Sequence, residues 1–89
     1  MSDLKALFDQ AKKNVEKLTH RPSNDQLLAL YSLFKQATDG DVHGKRPGML
    51  DMVGRAKYDA WTQREGTPKE QAMQDYVALV QQLIDADGD

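Results

Sequence analysis

Tyr31-Ser32-Leu33-Phe34-Lys35-Gln36-Ala37-Thr38 is the stretch whose residue types and spacing could do chemistry. It lies in an apolar-periodic segment, Leu27 to Ala37, that the spacing predicts to be a helix. Tyr31 and Lys35 stand four residues apart, so their side chains leave one helical face, with Phe34 beside them. An aromatic ring can stack on a planar ring, and an ammonium group can hold a phosphate. The stripe therefore suits a nucleotide-like ligand. It equally suits a plain amphipathic helix, with Tyr31 and Phe34 in the core and Lys35 at the solvated edge.

Other chemistries find less support. His20 and His43 are far apart and lack ligand spacing, so no metal site is expected. There is no Ser/His/Asp set and no glycine-rich phosphate loop followed by Lys-Ser/Thr. The carboxylates are scattered, without an evident acid–base pair. No cysteine is present, which excludes a disulfide framework, a thiolate nucleophile and Cys-ligated zinc. A net charge of −2 argues against a nucleic-acid binder. No run approaches the roughly 18 apolar residues of a membrane span, and no signal core follows the N-terminus. A cytoplasmic setting is expected.

The elements that must position these residues follow from the rest of the chain. With 89 residues it is expected to form one domain, residues 1–89, and its 39% hydrophobic content is enough for a modest core. Leu4, Leu7, Phe8, Ala11, Val15 and Leu18 predict a helix over 3–18, with Ser2 as cap and Lys12, Lys13 and Lys17 on the polar side. Ser23-Asn24-Asp25-Gln26 reads as a capping box opening a helix over 24–38, which Gly40 stops. Residues 40–50 hold three glycines and a proline and form one long loop. Val53, Ala56, Ala60 and Trp61 predict a third helix over 51–64, although Gly54 costs about 1 kcal/mol within it. Thr67-Pro68-Lys69-Glu70 reads as a second capping box, opening a helix over 68–85 whose buried face includes Ala72, Tyr76 and Val80. Residues 85–89 read as a fraying polar tail. The fold class is all-α, a four-helix bundle, and the long second connection argues against a simple up-down-up-down arrangement.

Several motifs recur in a characteristic order: Tyr31-x-x-Phe34-Lys35-Gln36-Ala37-Thr38 with Gly40-Asp41, Arg46-Pro47-Gly48-Met49-Leu50-Asp51, Lys57-x-Asp59-Ala60-Trp61, and Gly66-Thr67-x-Lys69-Glu70-x-Ala72-Met73 with Tyr76. From Phe8 to about Leu83 this set resembles the acyl-CoA-binding protein family. The resemblance implies a bundle with one crossover connection. It implies non-catalytic binding, buffering and transport of medium- and long-chain fatty acyl-CoA thioesters, and no cofactor. Its implied ligand-binding residues are Tyr31, Ser32, Leu33, Phe34, Lys35, Lys57 and Tyr76. Lys35 and Lys57 would meet the phosphates, and Tyr31 would wall the adenine. Leu27, Leu28, Met49 and Leu50 are the expected lining of the acyl groove. Where the family often has methionine, tryptophan and a basic residue, this chain has Leu27, Tyr58 and Glu16. A monomer making transient contact with acyl-CoA-using enzymes is expected. The competing readings are a helical protein-interaction module with no small-molecule ligand and, more weakly, an enzyme acting on a CoA ester.

Overall fold

The computed structural model describes residues 2–88, the side chain of Ser2 excepted. The cap expected of that side chain and the chain end at Asp89 lie outside the described residues. Four helices are present, α1 Ser2–Val15, α2 Asn24–Asp39, α3 Met52–Thr62 and α4 Lys69–Asp87, and the described residues hold no strand. Helix α4 packs against both α1 and α2, whereas α3 packs against α2 alone. The molecule is accordingly flattened, 38 × 32 × 16 Å.

The core follows from the helical stripes. Phe8 and Ala11 of α1, Leu30, Leu33 and Ala37 of α2, and Ala72, Tyr76, Val80 and Leu83 of α4 are buried together. Leu7, expected in the α1 stripe, is 55% exposed. It sits about 100° around the helix from Phe8 and so misses the face that meets α4. α1 also ends earlier than the periodicity suggests. Beyond Val15 the amides of Glu16, Lys17 and Leu18 bond three residues back, to the carbonyls of Lys13, Asn14 and Val15, in a tighter turn.

The capping box of α2 forms as its sequence predicts. Ser23 Oγ accepts from the Gln26 amide at 3.1 Å, and Gln26 Oε1 accepts from the Ser23 amide at 2.9 Å. At the other end Gly40 adopts φ 81°, a conformation that only glycine enters without strain, and its N–H donates to the Gln36 carbonyl. The second box does not form. Pro68 occupies the cap position of α4 and no side chain caps that helix. Thr67 stands one residue too early, its amide bonded to the Arg64 carbonyl and its own carbonyl accepting from Gln36 Nε2 at 2.8 Å.

α3 has a cap that the sequence reading did not assign. Asp51 Oδ1 accepts from the Gly54 amide at 2.9 Å. A Cβ at position 54 would lie 2.3 Å from Asp51 Oδ2, so the glycine makes room for the capping carboxylate.

Residues 40–51 form the long connection, and its backbone is tied down. Gly40 O accepts from Trp61 Nε1 at 2.8 Å, and Gly44 O accepts from the Tyr58 hydroxyl at 3.0 Å. Arg46 clamps both oxygens of Asp59, at 2.9 and 2.7 Å. Residues 85–87, expected in the fraying tail, belong to α4. Asp87 ends α4, and its carboxylate accepts from the amides of Thr19 and His20 and from Thr19 Oγ1, with His20 Nδ1 3.0 Å away. The Thr19 and His20 N–H groups together hold this carboxyl far below the usual range against the opposing effect of burial. The clamp fastens the α1–α2 connection to the C-terminal end of α4.

Candidate functional site

Because α3 rests on α2 alone, its inner face is only half covered. A groove of about 400 Å³ opens there. Leu27, Leu28 and Tyr31 of α2 form one wall, and Met52, Val53, Ala56 and Lys57 of α3 form the other, with Arg21 and Asn24 completing the lining. On α3 these residues fall at i, i+1, i+4 and i+5, a single helical face. The lining is apolar apart from Arg21, Asn24, the Tyr31 hydroxyl and Lys57. Lys57 Nζ lies 5.3 Å from the centre of the Tyr31 ring, within cation–π range.

The structure thus brings Tyr31 and Lys57 together with Leu27 and Leu28. Arg21, Asn24, Met52, Val53 and Ala56 join them without having been picked out as site residues. For Met52, Val53 and Ala56 the signal was their shared face on α3, which reads from sequence as a core face; Arg21, just before α2, and Asn24, at its start, carried none. Met49 and Leu50 do not line the groove. They are 80% and 102% exposed, on the turn that leads into α3. Helix α3 begins beyond them, so the apolar pair one turn further on takes the lining position.

The remaining residues of the α2 segment have other surroundings. Lys35 Nζ is paired with Asp39, one helical turn on, and lies 4.9 Å from the Trp61 ring centre. The Asp39 hydrogen bond raises the Lys35 pKa despite partial burial, with a smaller contribution from Tyr31. Ser32 and Leu33 are buried. Ser32 Oγ donates to the Ala29 carbonyl at 2.8 Å and accepts from Arg64 Nε at 3.0 Å, which ties α2 to the residues that follow α3.

Phe34 and Tyr76 meet at Phe8, on the side of α2 that faces α1 and α4. Phe34 stacks on Phe8 with ring centres 6.1 Å apart, and Tyr76 meets Phe8 edge-on at 5.1 Å. Burial, and secondarily the charge of Glu16, raises the pKa of the Tyr76 phenol. Lys12, assigned from sequence to the polar side of α1, lies over both phenylalanine rings, 5.1 and 5.7 Å from their centres. It also lies 3.2 Å from Asp9. Its place over Phe8 follows from their i,i+4 spacing on α1, whereas its meeting with Phe34 is not local, because that ring comes from α2.

The site therefore offers an apolar trough, an aromatic ring with a cation above it, and a second cation, Arg21, in the lining. Such a surface fits an amphiphile whose head carries negative charge. Among the described residues no group of three or more His, Asp or Glu could hold a metal ion, and no helix is long and apolar enough to cross a membrane.

The chain is similar to known proteins over most of its length. The family model described as "Acyl CoA binding protein" matches residues 5–80. An acyl-CoA-binding protein of Brassica napus is 50% identical over 84 residues, covering 94% of this chain and 91% of that protein. Acyl-CoA-binding protein homolog 1 of Caenorhabditis elegans is 51% identical over 77 residues, covering 86% and 90%. The crystal structure of Oryza sativa acyl-CoA-binding protein 2 superposes with a TM-score of 0.93 at 39% identity, over 98% of this chain and 95% of that one. With its helices, their packing and most of its length matched in this way, the chain belongs to the acyl-CoA-binding protein family.

Proposed function

We propose that residues 1–89 act as one acyl-CoA-binding domain. In this reading the chain is a cytoplasmic, monomeric, non-catalytic carrier and buffer of medium- and long-chain fatty acyl-CoA, in transient contact with the enzymes that use it. The observation that carries the reading is the α2–α3 groove with Lys57 poised over Tyr31. The acyl chain lies on Leu27, Leu28, Met52, Val53 and Ala56. The head group lies over Tyr31, where the ring walls the adenine and Lys57 meets a phosphate. Lys35 joins by exchanging Asp39 for a phosphate oxygen, a small cost for an exposed i,i+4 pair. Phe34, Tyr76, Ser32 and Leu33 hold the α2 segment from behind.

Burying a methylene fully is worth about 0.8 kcal/mol, and a trough open on one side realises roughly half of that. Affinity should then rise about twofold for each added methylene until the trough is filled. Parallel calorimetric titrations with palmitoyl-CoA, free CoA and palmitate test the proposal. Tight one-to-one binding of the thioester, with much weaker binding of both fragments, supports it. A well-folded protein that ignores the thioester overturns it.

A further inference from the structure

The α2–α3 groove is apolar along its middle and polar at both ends. On the α2 wall the lining runs from Asn24 through Leu27 and Leu28 to Tyr31, a span of about 10 Å. Lys57, over the Tyr31 ring, stands at one end. Arg21, in the connection before α2, and Asn24, the first residue of α2, stand at the other. Arg21 Nη1 donates to Asn24 Oδ1 at 3.3 Å, so the Asn24 amide nitrogen and the rest of the guanidinium remain as donors. Among the described residues no carboxylate pairs with Arg21 or with Lys57. Asp87, which lines a neighbouring pocket with Arg21, is engaged by Thr19 and His20 instead. A chain that ends beside Arg21 in a methyl group covers these donors and gives them no acceptor. A chain that ends there in a carboxylate meets a guanidinium, whose planar fork matches two carboxylate oxygens. A trough without such a cation rejects a charged chain end, because the desolvated charge goes unpaired.

We propose that the groove accepts CoA monothioesters of dicarboxylic fatty acids, with Arg21 and Asn24 holding the terminal carboxylate. The head group lies over Tyr31 and Lys57, and the methylenes cross the apolar middle between the two polar ends. This names a ligand class for the groove and rests on the acyl-CoA reading above.

The test is calorimetric titration with CoA monothioesters from octanedioyl to hexadecanedioyl, each beside the methyl-ended thioester of the same length. At the length that spans the groove, wild type should bind the acid-ended ligand at least as tightly as its methyl-ended counterpart. Arg21→Gln should raise the ratio of the acid-ended to the methyl-ended dissociation constant at least about fivefold, by removing one charge-assisted contact. Arg21→Lys keeps a cation and should give a ratio below that of Arg21→Gln. Arg21 is exposed, and an unchanged thermal melt shows that each variant is folded. Weaker binding of the acid-ended ligand by wild type at every length overturns the proposal. So does a smaller rise in the ratio with Arg21→Gln, because Arg21 then serves the head group common to both ligands or neither. Equal ratios for the Gln and Lys variants overturn it too, since charge is then not what is read. Wild type that binds the methyl-ended thioesters and rejects the acid-ended ones overturns this inference alone. Wild type that binds neither overturns the acyl-CoA reading with it.

Discussion

Replacing Lys57 by alanine gives the sharpest test of the groove. The side chain is exposed on α3 and its ammonium lies 5.3 Å from the Tyr31 ring centre. Folding should scarcely notice its loss, because an exposed cation–π contact contributes about 0.5–1 kcal/mol. Binding should notice it. A charge-assisted hydrogen bond to phosphate contributes about 1.5–3 kcal/mol, and ordering a long side chain takes back about 0.5–1 kcal/mol. The net of about 1–2 kcal/mol corresponds to a dissociation constant raised about 5- to 30-fold. Calorimetric titration of palmitoyl-CoA into wild type, Lys57→Ala and Lys57→Met measures it, with a denaturation midpoint recorded for each. Methionine keeps the aliphatic stem and loses the charge. The reasoning is refuted if Lys57→Ala, still folded, loses less than about twofold. Recovery of wild-type affinity by Lys57→Met would refute it differently, by showing that the stem and not the charge binds. The Lys57→Ala loss should also shrink as salt is raised, since the lost contact is between charges.

Four other predictions probe the same frame. Tyr31→Phe keeps the ring beneath Lys57 and removes one hydroxyl, so palmitoyl-CoA affinity should fall about 3- to 10-fold at unchanged stability, and unchanged affinity would reduce Tyr31 to a wall. Asp51→Ala should cost about 1 kcal/mol in urea unfolding by removing the α3 cap. Gly54→Ala should be near neutral in wild type, where the new Cβ displaces the Asp51 carboxylate, but stabilise the Asp51→Ala background by about 0.5–1 kcal/mol through helix propensity. Asp87→Asn should flatten the loss of stability on acidification. The folded Asp87 carboxyl lies far below its ordinary value of 3.8, so its contribution is complete above that pH and is lost as pH falls below it. Thermal midpoints taken between neutral and strongly acid pH check this, and parallel curves for variant and wild type would remove Asp87 from the account.

What the sequence disclosed and what it hid divide along the distance between interacting groups. The Ser23–Gln26 box was legible because both partners lie within four residues and close on each other. The Thr67–Glu70 pattern is of the same kind, yet Pro68 rather than Thr67 holds the cap position and the Thr67 carbonyl serves a glutamine on α2. The Asp87 clamp could not be read at all, since its partners Thr19 and His20 are 68 and 67 residues away. Among candidate site residues, Tyr31 and Lys35 share a face by helical spacing alone. That Lys57 joins Tyr31, while Phe34 turns to Phe8 and Lys12, depends on how α1 and α3 lie beside α2. Val53 and Ala56 show the point most directly. Their spacing marks a face that seeks cover, and that is all a periodic stripe can say. Whether such a face becomes core or binding groove is decided by how many neighbours reach it. Here α2 reaches α3 and no other helix does, so the stripe keeps an open side, and the cover it lacks is what a long acyl chain can supply.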